Sequence, residues 1–427
     1  MDLLVVPVPL FSEENTVETY MFRYSKGNDL LSAAKEGIHF DGAMHSPLLS
    51  MMQVVGLDAL TMGKPIFVPV SRLMLMTGLE NVCDESPDSI IFLIDGHVKG
   101  DATNVSNIRR LKDLGYRFGI CGIGNIAAYM HILELCDFIF YDQRIFSDRN
   151  QVALRSQISE KFPHMSCVYT NVNSMEIFQS ARKKYKGLYE GSFYRMPFVE
   201  GDNKVSPLQI NMINLLNKVR ADNFDFDAVS KIIQRDPALT IALLRMVNTG
   251  SRGRRNEIKT INGAVVMLGQ EEVRKWITAA AANQLGTDKP NEITKLSLVR
   301  AKFAEALAVK FGLYADAQSL FLMGIFSVLD AMLEMSMDDA LKLVLVSDDI
   351  RDALVSRTGK YGDVYNFIID YESANWPAVS RLLILYDLTP EDIYETYVET
   401  LCWYRDMLSD DEEAQGGETE EASVTED

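Results

Sequence analysis

Cysteine is scarce in this chain, and none of it is arranged to do chemistry. The five residues, Cys83, Cys121, Cys136, Cys167 and Cys402, are far apart and form no Cys-x-x-Cys pair. With no histidine nearby at ligand spacing, a zinc site of the usual kind and a disulfide framework are both excluded, leaving buried free thiols as the expectation. Histidine is equally rare: His39, His45, His97, His131 and His164 are all there are, and none follows residue 164. No apolar run reads as long enough to cross a bilayer, and Met1 is followed by Asp2 rather than a basic leader, so the expected location is the cytoplasm without membrane insertion. Positive charge is also in deficit. The net charge of -18 argues against a nucleic-acid-binding surface. About half of that charge lies in 409–427, which carries nine acidic residues and no basic one; with so little apolar content it is expected to be disordered.

What is present is the composition of a globular protein, 47% hydrophobic and 24% charged with mean hydropathy -0.02, and 427 residues suggest two domains of roughly 200 residues each. In the first half, Leu3 to Val8 and Thr16 to Arg23 read as adjacent strands. Short β-branched or aromatic runs follow at Ile66–Val70, Ile90–Ile94, Phe118–Ile120, Phe138–Tyr141 and Cys167–Tyr169. Helical stretches alternate with them at Ser106–Leu114, Asn125–Leu135, Asn150–Lys161 and Ser174–Tyr185. Such alternation over about 200 residues predicts an α/β barrel, with its chemistry at the C-terminal strand ends.

Gly201-Asp202-Asn203-Lys204 reads as a linker, and beyond it the spacing is helical throughout, predicting an all-α bundle over 201–408. Asp236-Pro237 has the form of a helix start, and Leu239, Leu243, Leu244 and Val247 recur at helical spacing. A Gly- and Arg-rich turn then leads to a second helix from Thr260 to Gly269, a C-cap position. The series Asp236-Pro237, Leu243-Leu244-Arg245, Val247-Asn248, Ile258, Ala264 and Leu268-Gly269 resembles the opening half of an HDOD domain, an all-helical relative of the HD phosphohydrolases. Where those enzymes carry a metal-binding His-Asp pair, the matching segment here holds Ser327-Val328.

The barrel, residues 1–200, resembles an EAL domain, the fold that hydrolyses cyclic di-GMP with metal ions held by carboxylates. The resemblance rests on Leu111 to Arg117, Phe138 to Asp142 and Tyr189 to Pro197. It implies ligand positions that this sequence fills otherwise: Thr19 at the family's glutamate, Pro69 at its asparagine, Phe92 at a strand glutamate. Cys121 and Gly122 stand at its paired aspartates, Phe140 at its lysine, Thr170 and Glu190 at later positions; Asp95 and Asp142 remain. Hard divalent cations need converging oxygen ligands, so no metal and no cofactor is expected, and cyclic di-GMP binding is not expected either. The Gly122-Ile123-Gly124 turn also fits a strand-to-helix connection that could face an anion.

From these readings the chain is expected to be a non-catalytic bacterial signal transduction regulator of the EAL plus HDOD type, acting through a protein partner and not an enzyme. A residual cyclic di-GMP phosphodiesterase, or a receptor that binds the nucleotide without cleaving it, are the alternatives. No catalytic residue is assigned. The candidate partner or anion surface is the basic turn of Arg245, Arg252, Arg254, Arg255 and Lys259, which equally reads as a solvated turn or as a contact for the acidic tail. Partner identity, input signal and oligomeric state are not legible.

Overall fold

The computed structural model describes residues 3–26, 47–76, 85–123, 126–143, 148–196, 207–220, 224–234, 239–240, 243, 246–247, 260–285, 291–344 and 346–421. The eight strands are β1 (Leu3–Phe11), β2 (Val17–Lys26), β3 (Ile66–Val70), β4 (Ile90–Ile94), β5 (Arg117–Ile120), β6 (Phe138–Asp142), β7 (Ser166–Thr170) and β8 (Leu188–Glu190). They close into a barrel in chain order. β1 runs antiparallel to both of its neighbours, and the strands from β2 to β8 pair in parallel. The expected strands are all present within a few residues.

Alternation decides which side chains fill the interior. Leu10, Met21, Phe67, Ile91, Leu93, Cys121, Phe140 and Val168 form one apolar cluster, with Val8, Phe138 and Leu188 packed against it. Phe67 meets Phe138 and Phe140 edge-on at 5.1 and 4.9 Å between ring centroids. Gly119 makes room for them, because a Cβ there would sit 3.1 Å from the Phe67 ring and 3.3 Å from Phe140. The residues two places beyond these plugs, Arg23, Asp95, Asp142, Thr170 and Glu190, therefore lie toward the C-terminal side of the barrel and on the inner face. Phe92 instead faces outward and packs on Tyr116 and Phe118.

The seam between β8 and β1 has only two paired positions, Leu10 with Glu190 and Phe11 with Tyr189. The remainder of β1 must satisfy its outer edge otherwise. Pro7 and Pro9 carry no N–H to satisfy, and the Val5 carbonyl, on the same side of the strand, accepts the Tyr371 hydroxyl at 2.9 Å. Tyr371 is fully buried and packs on Trp376 and Tyr397. Arg195 is tied to the same segment by Glu372 at 2.9 Å and by Ser373. Accordingly the chain divides into two compact units, 1–196 with 369–398, and 197–368 with 399–427. A single linear boundary near residue 200 therefore does not describe the division, because a far segment covers the strand edge that β8 is too short to reach.

The second unit is helical in its described residues. The helix Ile261–Leu285 is broken at Gly269, whose φ of 78° agrees with the C-cap expected there. Asn291–Lys310 and Ala317–Phe326 approach so closely that a Cβ on Gly324 would stand 2.3 Å from the Ala301 Cα. Leu239, Leu243, Val247, Ile261, Ala264 and Val265 are buried, as are Phe321, Phe326, Leu329 and Met332, in keeping with their reading as core. One expectation is corrected here: Tyr314–Leu333 is long and apolar enough to span a membrane by composition, yet it is 67% buried within the fold. It is broken into a 3-10 turn and two helices, so its apolarity serves the bundle core. The last helix runs Pro390–Glu421, into the stretch expected to be disordered.

Removing only the Tyr371 hydroxyl tests the seam. Tyr371→Phe leaves the buried Val5 carbonyl unpaired and is expected to cost about 1–3 kcal/mol, measured as a lower urea midpoint at unchanged m-value.

Candidate functional site

At the barrel mouth four polar side chains form one network. Arg23 extends from β2 and its Nη2 lies 2.6 Å from Glu190 Oε2 and donates to Asn171 Oδ1 at 3.3 Å. Glu190 is almost wholly buried, whereas about a quarter of the Arg23 side chain meets solvent. Asn171 follows β7 in the left-handed backbone region, at φ 62°, a conformation that Asn tolerates better than most residues. From there its N–H donates to Glu190 Oε2 at 3.1 Å and its Nδ2 donates to Asp142 Oδ2 at 2.8 Å. One asparagine thus holds both carboxylates and accepts from the arginine. Arg23, Asn171 and this hub role were not legible in the sequence, because the partners lie 148 and 167 positions apart.

The positions implied by the EAL resemblance are occupied as follows. Thr19 donates its hydroxyl to the Pro65 carbonyl at 2.8 Å. Thr170 donates to Tyr141 O at 3.4 Å. Phe140 and Cys121 belong to the interior plug. Burial, helped by the nearby Asp95 charge, pushes the Cys121 thiol up to about 12; it stays protonated and is a poor ligand. With Glu190 engaged by a guanidinium and Asp142 by an amide, these groups do not fit a pair of oxygen-coordinated divalent cations. Among the described residues no three His, Cys, Asp or Glu side chains gather at ligand distance.

The loop leaving β4 carries a different arrangement. Asp95 accepts the His97 backbone N–H at 2.8 Å through Oδ1, and its Oδ2 lies 3.2 Å from His97 Nδ1. Tyr129 donates to Gly96 O at 2.6 Å, and Lys99 Nζ donates to the Tyr129 hydroxyl at 2.6 Å.

In the helical unit, Ser327 stands where the His-Asp pair was sought. Its hydroxyl donates to Gly324 O at 2.6 Å, and buried Arg300 donates to the Ser327 hydroxyl and carbonyl at 3.1 and 3.3 Å. Burial pushes the nearby Asp330 carboxyl up to about 6, against the opposing effects of the Ala331 N–H and Arg300. The basic turn of Arg245, Arg252, Arg254, Arg255 and Lys259 lies outside the described residues, as do Gly124 and Asn125. Arg182, on the outer face of the barrel, donates to Glu13 O at 3.0 Å and packs over Phe178.

The HDOD domain family matches residues 206–346. The chain is 23% identical over 424 residues, 96% of itself and 99% of the relative, to the uncharacterized protein YuxH of Bacillus subtilis (strain 168). It is 30% identical over 236 residues, 55% of each chain, to the cyclic di-GMP phosphodiesterase CdgJ of Vibrio cholerae serotype O1. The match thus spans about half the length of that relative. Solved structures with a similar barrel include the cAMP-bound EAL enzyme Bd1971, at TM-score 0.36 and 12% identity over 44% of this chain and 61% of that one. Another is the EAL domain protein from Listeria monocytogenes EGD-e, at TM-score 0.33 and 17% identity over 45% and 87%.

These findings link the chain to cyclic di-GMP signalling. They also correct the expectation that it is not an enzyme, since the relative matched at 30% identity is named a phosphodiesterase.

Two substitutions probe the two units separately. Glu190→Gln removes the charge that pairs Arg23 and is expected to cost about 2 kcal/mol, read by denaturant unfolding. Asp330→Asn acts through pH. Because the folded carboxyl titrates near 6, above its unfolded value, its contribution to stability is full in acid and is lost as pH rises through 6. The variant is therefore expected to be more stable than the parent at neutral pH by up to about 2 kcal/mol, and no more stable below about pH 4.

Proposed function

For a chain made of an EAL-like barrel followed by an HDOD domain, we propose a signal transduction role in cyclic di-GMP circuits in which the helical unit engages a protein partner. The observation that carries this reading is the match to a named cyclic di-GMP phosphodiesterase, joined to the HDOD match over 206–346. The packing of the helical unit agrees with a contact role. Where HD enzymes bind metal, Ser327 and Arg300 satisfy one another, and a buried arginine held by hydrogen bonds supports a fixed shape. The second reading is phosphodiester turnover at the barrel mouth, favoured by the same relative's name.

One assay addresses both readings. The purified 427-residue chain is incubated with cyclic di-GMP and magnesium or manganese, and the linear dinucleotide is quantified by chromatography. Affinity capture from the native host is run in parallel, with and without the nucleotide. The expected result is a stoichiometric protein partner whose retention changes when cyclic di-GMP is added. No partner under either condition would count against the contact role, and linear product would establish turnover.

A further inference from the structure

The loop after β4 joins a buried acid to an exposed base. Asp95 is 5% exposed, while the His97 side chain is 67% exposed. A carboxylate held against Nδ1 selects the tautomer protonated there and makes Nε2 the proton-accepting nitrogen. The loop that carries the pair is braced. Gly96 packs against Gly122 so tightly that a Cβ would stand 2.5 Å from the Gly122 carbonyl oxygen. The Tyr129 hydroxyl also holds the Gly96 carbonyl. Cys121, raised by its burial and by the Asp95 charge, remains a neutral thiol and does not compete for the proton. Exposed Lys99, two residues beyond His97 and bonded to the Tyr129 hydroxyl, adds a positive charge to the same loop, which suits an anionic substrate. The whole arrangement sits at a C-terminal strand end, where barrel enzymes keep their chemistry.

We propose that His97, oriented by Asp95, is the general base of the barrel mouth and acts on a phosphodiester. The proposal rests on the turnover reading above and names the group that would perform it. His97 Nε2 takes a proton from water while the water oxygen bonds to phosphorus. One P–O ester bond breaks, its electron pair leaves on the alkoxide, and the alkoxide takes the proton back from the imidazolium. Water and a diester become a phosphomonoester and an alcohol, with no change of oxidation state. Histidine is the commonest side chain in this role. Asp95 acts through His97 and is a positioning residue.

The full chain and its His97→Gln, Asp95→Asn and His131→Gln variants are compared for conversion of cyclic di-GMP to the linear product, with circular dichroism to confirm folding. His97→Gln is expected to lose turnover by about a hundredfold or more. Asp95→Asn is expected to lower kcat and displace the acidic limb of the pH profile, and His131→Gln, on an exposed helix position, to match the parent. Turnover retained in His97→Gln would overturn the proposal and leave the turnover reading intact; no turnover in the parent would remove both. Long-range proton–nitrogen NMR gives an independent check. His97 is expected to be protonated at Nδ1 in the parent, and protonation at Nε2 alone would overturn the proposal whatever the assay shows.

Discussion

Closure of the barrel between β8 and β1 is the constraint on which the rest of the first unit depends. β8 has three residues and meets β1 at two positions, so hydrogen bonding alone does not complete the cylinder. Aromatic packing supplies the difference: Phe11 meets Phe193 at 5.2 Å and Phe193 stacks on Phe178 at 4.2 Å. Because Glu190 is both the last residue of β8 and the partner of Arg23, the geometry of the seam also fixes the geometry of the mouth. A shift of one residue would turn Glu190 outward and strand the guanidinium over an apolar plug.

In the helical unit the corresponding constraint is backbone proximity. Gly324 lies against Ala301, next to Arg300, and this contact brings the arginine to Ser327. A guanidinium cannot be neutralised by losing its proton, so a buried one requires acceptors around it. Ser327 supplies two. The same neighbourhood desolvates Asp330, so an acid and a permanent cation share one buried place.

The fold was largely legible because its signals are local. Valine and isoleucine runs such as Ile66–Val70 and Ile90–Ile94 mark strands buried on both sides, and Gly269 marks a helix break by its conformational preference. The site was legible only in part. Asp95, Asp142 and Glu190 stand out as acids at strand ends, but nothing local says that Asn171 joins Asp142 to Glu190 or that Arg23 pairs with Glu190. The Asp-x-His spacing at 95–97 was the available sign of a paired acid and base. The role of Tyr371 was hidden for a similar reason: its acceptor, Val5, is 366 positions away, and periodicity within a helix says nothing about what its buried tyrosine reaches.

That separation has a consequence for biosynthesis. The strand edge covered by Tyr371 leaves the ribosome well before its cover, which emerges only after all of 197–368 has been made. Throughout that interval β1 would offer an uncapped edge to any neighbouring nascent chain. Pro7 and Pro9, which lack amide protons, make that edge a poor template for intermolecular pairing, so the same two residues that simplify the finished barrel also guard the unfinished one.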